Sequence, residues 1–170
     1  MADLVIRPDG LVVLGARIVP CALGRGGRRL DKREGDGATP IGAWTLRRLL
    51  YRADRLSPPP TALPMTAIRP GDGWCDAPDD PQYNLPVALP YPASAESLWR
   101  DDAVYDLIVP LGYNDAPVTP GLGSAIFLHV ARSGFRPTEG CVALDRADLL
   151  VYLALAQPGD RVIVTAPGAN

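Results

Sequence analysis

The sequence predicts an α+β domain rich in strands and poor in helix, and three observations carry that reading. Nineteen prolines and 17 glycines in 170 residues break the chain too often for long helices, yet stay below the roughly 25–30% that marks a low-complexity disordered chain. Short apolar runs, several alternating with polar residues, recur between turn signals. The stretch behind Asp145 combines a capping residue with a long run free of Gly and Pro, as a helix requires. The apolar share of 47% and the charged share of 21% are those of a globular protein. A chain of this length buries roughly 70% of its unfolded surface, enough for one core. The expected organisation is a single domain over 1–170 with a proline-rich insert at about 57–92.

Taken in order, Leu4–Arg7 and Leu11–Leu14 flank Pro8-Asp9-Gly10 and read as a β-hairpin, because Asp-Gly suits a tight turn. Ala16–Leu23 reads as a further strand and Gly24–Gly37 as an exposed loop. After Thr39-Pro40-Ile41-Gly42, Ala43–Leu50 reads as a strand. Ser57–Pro92, with Pro58-Pro59-Pro60, Trp74, Tyr83 and Asn84, reads as a mostly irregular insert whose aromatics pack on something; structureless stretches that long are functional or disordered. Ala95–Arg100 reads as a short helix capped by Ser94, Val104–Leu111 as a half-buried strand and Ser124–Val130 as a more apolar one. Cys141–Leu144 leads into a helix capped by Asp145 and running to about Ala156, with Leu149, Val151, Leu153 and Leu155 as its apolar positions. Arg161–Thr165 closes the chain as a strand.

The net charge is −2, and no basic block with interleaved aromatics appears, which argues against a nucleic-acid partner. No stretch approaches the roughly 18 apolar residues that span a bilayer. The first residues carry Asp3, and their apolar run breaks at Arg7 and Pro8, so they do not read as a secretory signal. The expected location is the cytoplasm, or the periplasm if the natural start is longer. Cys21, Cys75 and Cys141 are odd in number and form no Cys-x-x-Cys pair, which suits reduced thiols. Three cysteines and one histidine equal a Cys₃His zinc site by count, but their spacings lack the short pairs such sites use. No metal and no cofactor is expected.

The chain's one histidine, His129, ends an apolar strand. After a loop rich in Gly, Pro and Arg comes Thr138-Glu139-Gly140-Cys141. A thiol is a weak nucleophile until it loses its proton, and a neighbouring imidazole can accept that proton and hold the thiolate as an ion pair. Gly140 lets the backbone turn sharply, so that amides beside the sulfur can face a developing oxyanion. The same residues read equally as a satisfied strand histidine and a buried thiol.

The segment Ile126-Phe-Leu-His129, followed by Thr138-Glu-Gly-Cys141-Val-Ala-Leu, resembles the active-site signature of the L,D-transpeptidase catalytic domain family (YkuD-type): a His, a loop, then Ser or Thr, any residue, Gly and Cys. Asp36-Gly-Ala-Thr39-Pro40-Ile-Gly42 is similar to the family's Thr-Pro-x-Gly stretch. The resemblance covers most of the chain and implies mixed sheets or a sandwich with few short helices. It implies that Cys141 is the nucleophile and His129 its base and later acid, with the imidazole oriented by a backbone carbonyl. Gly140 and the Cys141 amide would support the oxyanion, and Thr138 would shape the loop beside the thiol. The family often carries Arg or Asn two residues after the cysteine; here Ala143 stands there, and Arg132 could supply the missing cation or be a solvated loop residue.

Family members act on peptidoglycan stem peptides between a diamino acid, usually meso-diaminopimelate, and D-Ala. The implied partners are a stem peptide or muropeptide, and carbapenem-type inhibitors that acylate Cys141. Such substrates carry several carboxylates, which Arg binds in bidentate fashion. Arg52 is one candidate, with Arg47, Arg48, Arg55 and Arg100 beside it, and for any one of them a solvated charge or surface ion pair is the favoured role. Tyr113-Asn114 lines the site or makes a turn, and the turn is favoured because Asn is a common turn residue. In a cytoplasmic setting soluble wall fragments would be the substrate and water the acceptor. The expected reaction is then L,D-carboxypeptidation, with transpeptidation or non-catalytic peptide binding as alternatives.

Overall fold

The computed structural model describes residues 2–168. Its elements in chain order are β1 (Leu4–Ile6), β2 (Val12–Leu14), β3 (Arg17–Val19), β4 (Arg28–Arg29), β5 (Thr39–Pro40), β6 (Gly42–Thr45), β7 (Leu49–Tyr51), β8 (Met65–Ala67), β9 (Asp72–Cys75), β10 (Pro86–Ala88), β11 (Ala95–Ser97), β12 (Leu107–Pro110), β13 (Phe127–Val130), β14 (Val142–Leu144), α1 (Arg146–Leu155) and β15 (Arg161–Val164). One five-stranded sheet has the order β3-β2-β1-β15-β6 and the other β14-β13-β12-β7-β8. A three-stranded sheet, β10-β9-β11, and the short ribbon β4-β5 complete the set. The β-rich α+β class expected from the sequence is the class observed.

Strand alternation sorts the second large sheet into two faces. Leu49, Tyr51, Leu107, Val109, Leu128, Val130, Val142 and Leu144 join Leu4, Ile6, Val12, Val162 and Val164 of the first sheet in one core. Leu149, Tyr152 and Leu153 of α1 pack into that core. The opposite face carries Leu50, Ile108, Phe127 and Cys141, which meet Trp74, Leu98 and Tyr105 in a second cluster. The insert therefore roofs the face that carries the candidate thiol.

Several elements differ from the sequence reading. Ala95–Arg100 is not a helix: Ala95–Ser97 is β11 and pairs antiparallel with β9, Ala95 opposite Cys75 and Ser97 opposite Gly73. A partner strand remote in sequence outweighs a weak local helix signal. The insert is mostly irregular, as expected, but it also supplies the short strands β8, β9 and β10. The strand read as Ala43–Leu50 is two strands in two sheets, with Leu46 bridging to Leu111 between them. In α1, Asp145 caps the Ala147 N–H at 2.9 Å, as expected. The buried apolar positions are Leu149, Tyr152 and Leu153, with Ala156 just past the helix end, whereas Val151 is 47% and Leu155 53% exposed. A 3.6-residue turn puts those two on the solvent side.

The Asp145→Ala variant loses the acceptor for that N-terminal amide. It is expected to lower the unfolding free energy by about 1 kcal/mol, read as a shift of the urea midpoint at unchanged slope.

Candidate active site

β13 and β14 run parallel with His129 opposite Ala143. Cys141 lies two positions before Ala143, so alternation turns the imidazole and the thiol to the same face of the pair. Both line one cavity of about 420 Å³, whose wall also includes Glu34, Asp76, Glu96, Arg100, Tyr105 and Arg132. Thr138 lines it as well.

Glycine is required at the thiol's turn. Gly140 has φ +135°, and a Cβ there would stand 2.7 Å from the Ala38 carbonyl oxygen. Thr138 staples the same turn, its hydroxyl donating to the Cys141 carbonyl at 2.7 Å and accepting from the Gly140 N–H at 3.1 Å. Ala38 belongs to the Asp36–Gly42 stretch. There Asp36 accepts from the Ala38 N–H and from Lys32, each at 2.8 Å, and Thr39 accepts from the Gly24 N–H at 2.8 Å. The two motifs are thus in contact: the first forms the floor on which the glycine of the second rests.

The sulfur has two backbone partners. It donates to the Ala125 carbonyl at 3.2 Å and accepts from the Phe127 N–H at 3.3 Å. Ala125 has φ +53°, a left-handed conformation that costs a non-glycine residue about 1–2 kcal/mol. Because Ala125 departs from extended geometry, the strand read as Ser124–Val130 is regular only from Phe127.

His129 is buried, and its Nδ1 lies 2.9 Å from the Val130 carbonyl oxygen. A carbonyl only accepts, so Nδ1 carries the proton of the neutral ring and Nε2 keeps a lone pair. Tyr105 stands edge-on to the imidazole at 5.4 Å between centroids, and its hydroxyl donates to Glu96. Burial holds the Glu96 carboxyl above its ordinary range, with the Tyr105 hydrogen bond opposing.

Burial, reinforced by Arg132 and Arg100 and opposed by the Val130 hydrogen bond, pulls His129 down to about 4. Burial, with the Glu96 charge, pushes the Cys141 thiol up to about 12 despite the Phe127 N–H. Burial thus favours a neutral thiol and a neutral imidazole at rest, where the sequence pointed to a thiolate–imidazolium pair. Desolvation penalises both charged forms, and the Val130 and Phe127 hydrogen bonds offset it only in part.

Arg132 lies on the cavity wall and forms no ion pair among the described residues. Arg52 lies elsewhere: it is buried, forks onto Asp54 at 2.8 and 2.9 Å, donates to the Arg100 carbonyl and stacks on Trp99. Tyr113 and Asn114 also lie outside that wall. Tyr113 donates to the Leu122 carbonyl, and Asn114, at φ +49°, staples the following loop through Thr119 and Gly123, the turn role favoured from sequence. Glu34, Asp76, Glu96 and Tyr105 were not singled out. Their approach to the thiol depends on the β9–β11 pairing and on Glu34 accepting from Tyr83 and Ser124, contacts with no local signature.

The model of the L,D-transpeptidase catalytic domain, YkuD, matches residues 4–164. A protein whose paired motifs meet at one cavity on such a strand frame is of that class, and the chain belongs to the L,D-transpeptidase catalytic domain family. No curated protein and no solved structure matches it.

The histidine makes stability depend on pH in a defined direction. Its folded pKa lies below the unfolded one, so the unfolded chain binds the proton first as pH falls. The contribution is whole above about 6.5 and is lost toward about 4. Relative to His129→Gln, the native protein is expected to lose about 3 kcal/mol of unfolding free energy between pH 7 and pH 4. Urea titrations of both at each pH check this; parallel curves would contradict it.

Proposed function

We propose that this protein cleaves the L,D bond between a diamino acid and D-Ala in peptidoglycan stem tetrapeptides through a Cys141 thioester, with water as the favoured acceptor. The observation that carries the reading is the opening of Cys141 and His129 into one cavity from the same face of β13–β14. Family membership supports an L,D-transpeptidase-type enzyme on peptidoglycan peptides. The finer assignment is ours.

In this reading the substrate carbonyl meets the sulfur, and the thiol proton passes to His129 Nε2 as the S–C bond forms. Proton transfer accompanies attack because the resting pair is neutral, so His129 acts as a general base. The Gly140 amide is already engaged by Thr138, which leaves the Cys141 N–H as the amide this reading assigns to the oxyanion. Collapse of the tetrahedral intermediate breaks the C–N bond, and imidazolium returns the proton to the departing D-Ala amine. Water then attacks the thioester, His129 takes its proton, and the thiol and a tripeptide carboxylate are released. Arg132 is the guanidinium we assign to the D-Ala carboxylate, since Arg100 is held by Asp102 at 2.6 and 2.8 Å. A cavity of about 420 Å³ is in the range of a single small-ligand site.

Incubation with tetrapeptide is expected to release D-Ala and give tripeptide, and an added D-amino acid is expected to leave most product as tripeptide. Cys141→Ala and His129→Gln are each expected to lower the rate by ~10³-fold or more. A carbapenem is expected to add one acyl group to the native protein and none to Cys141→Ala, read by intact mass. Exchanged tetrapeptide as the main product would instead make the enzyme a transferase. No product and no adduct would make it a binder.

A further inference from the structure

Asn84 lies in the insert, between β9 and β10, and no step described above uses it. It is 5% exposed and adopts φ +57°. An amide side chain has one acceptor oxygen with two lone pairs and two N–H donors, and here all four are used. Oδ1 accepts from Trp74 Nε1 at 2.9 Å and from the Ala125 N–H at 3.0 Å. Nδ2 donates to the carbonyls of Tyr113 at 3.2 Å and Asn114 at 2.8 Å.

Those partners lead to both hydrogen bonds on the candidate nucleophile. Ala125 presents the carbonyl that receives the thiol, and it does so in a left-handed conformation that the rest of the strand does not share. Trp74 packs edge-on against Phe127, with ring centroids 5.0 Å apart, and Phe127 supplies the N–H that the sulfur accepts. One side chain therefore fastens the acceptor residue directly and the donor residue through Trp74. A fully satisfied buried amide fixes its neighbours far more tightly than apolar contact would.

We infer that Asn84 is a positioning residue for Cys141, the insert's polar hub that holds the Ala125 carbonyl and the Phe127 amide in place around the sulfur. The inference rests on the reading of Cys141 as nucleophile, and it adds a job for the insert. The Trp74, Asn84 and Ala125 constellation aims the thiol, while His129 takes its proton. The displacement expected when the hub is removed is small, but covalent steps are sensitive to it, and a misplacement of about 1 Å can cost 10²-fold.

The test uses Asn84→Gly, which tolerates the left-handed backbone, and Trp74→Phe, which removes one donor and keeps the ring. Circular dichroism and thermal unfolding establish folding. Two rates are then read on Cys141 by mass spectrometry: acylation by a carbapenem, and alkylation by iodoacetamide across pH 6 to 10. Asn84→Gly is expected to slow acylation by ~10-fold or more, with kcat on tetrapeptide falling and KM moving less than about twofold. Its alkylation rate is expected to rise by about threefold or more across that pH range, because the sulfur loses its fixed acceptor and part of its cover. Trp74→Phe is expected to move both rates in the same directions by less, and it decides the matter if Asn84→Gly does not fold. Folded variants with acylation and alkylation rates both within twofold of native would overturn the inference. A native protein that takes no acyl group would instead remove the nucleophile reading, and the alkylation profiles would then decide the positioning of the sulfur alone.

Discussion

The parallel pairing of β13 with β14 is the constraint on which the site depends. In that register Leu128 faces Val142 and His129 faces Ala143. A slip of one residue would turn every side chain of a strand to the opposite face, burying the imidazole or the thiol among the leucines of the main core. The large apolar cluster on the other face pins the register, because Leu128, Val130, Val142 and Leu144 are each at most 5% exposed. The packing that stabilises the fold is therefore the same packing that brings Cys141 and His129 together, though neither residue contributes to it.

Two further layers fix the thiol in place. Beneath it, the Ala38 carbonyl stands where any side chain at residue 140 would have to go. The floor itself is held by Asp36, Lys32 and Thr39 through backbone and charge-assisted hydrogen bonds. Above it, the β10-β9-β11 sheet brings Trp74, and Asn84 from the β9–β10 connection, against Phe127 and Ala125. The cavity is bounded by side chains from the loop before β5, the insert, β11 and the β11–β12 connection, and the stretch from Ser124 to Cys141, so residues distant in sequence share one wall. Its charge is mixed: Glu34, Asp76 and Glu96 lie along it with Arg100 and Arg132.

Much of the frame was legible where the signal is local. Asp9-Gly10 specifies the first turn, with Gly10 at φ +83°, Asp145 specifies the start of α1, and the apolar runs mark β12, β13 and β15. The order of the His, Thr-x-Gly-Cys and Thr-Pro-x-Gly motifs named the cavity's Cys141, His129, Thr138 and Arg132. What escaped was set by partners far along the chain. Ala95-Glu96-Ser97 has no strand signature of its own and becomes a strand because β9 offers an edge. Glu96 reaches the cavity for that reason. Arg52 was one of five candidate anion binders, with an ion pair the favoured role, and Asp54, two residues on, and the face of Trp99 engage it. The protonation state of the pair was also out of reach, since it follows from the depth of burial, and depth is a property of the folded chain.

The mechanism turns on an uncharged resting pair, with the imidazole oriented by Val130 and its Nε2 lone pair available to take the thiol proton during attack. The chain has a single histidine, so nitrogen NMR of protein labelled with ¹⁵N-histidine reads this ring without ambiguity. At neutral pH the neutral ring gives one protonated, pyrrole-like nitrogen, Nδ1, and one unprotonated, pyridine-like nitrogen, Nε2. Two protonated nitrogens, converting to the neutral ring when Cys141 is replaced by Ala, would reveal a standing ion pair and contradict it.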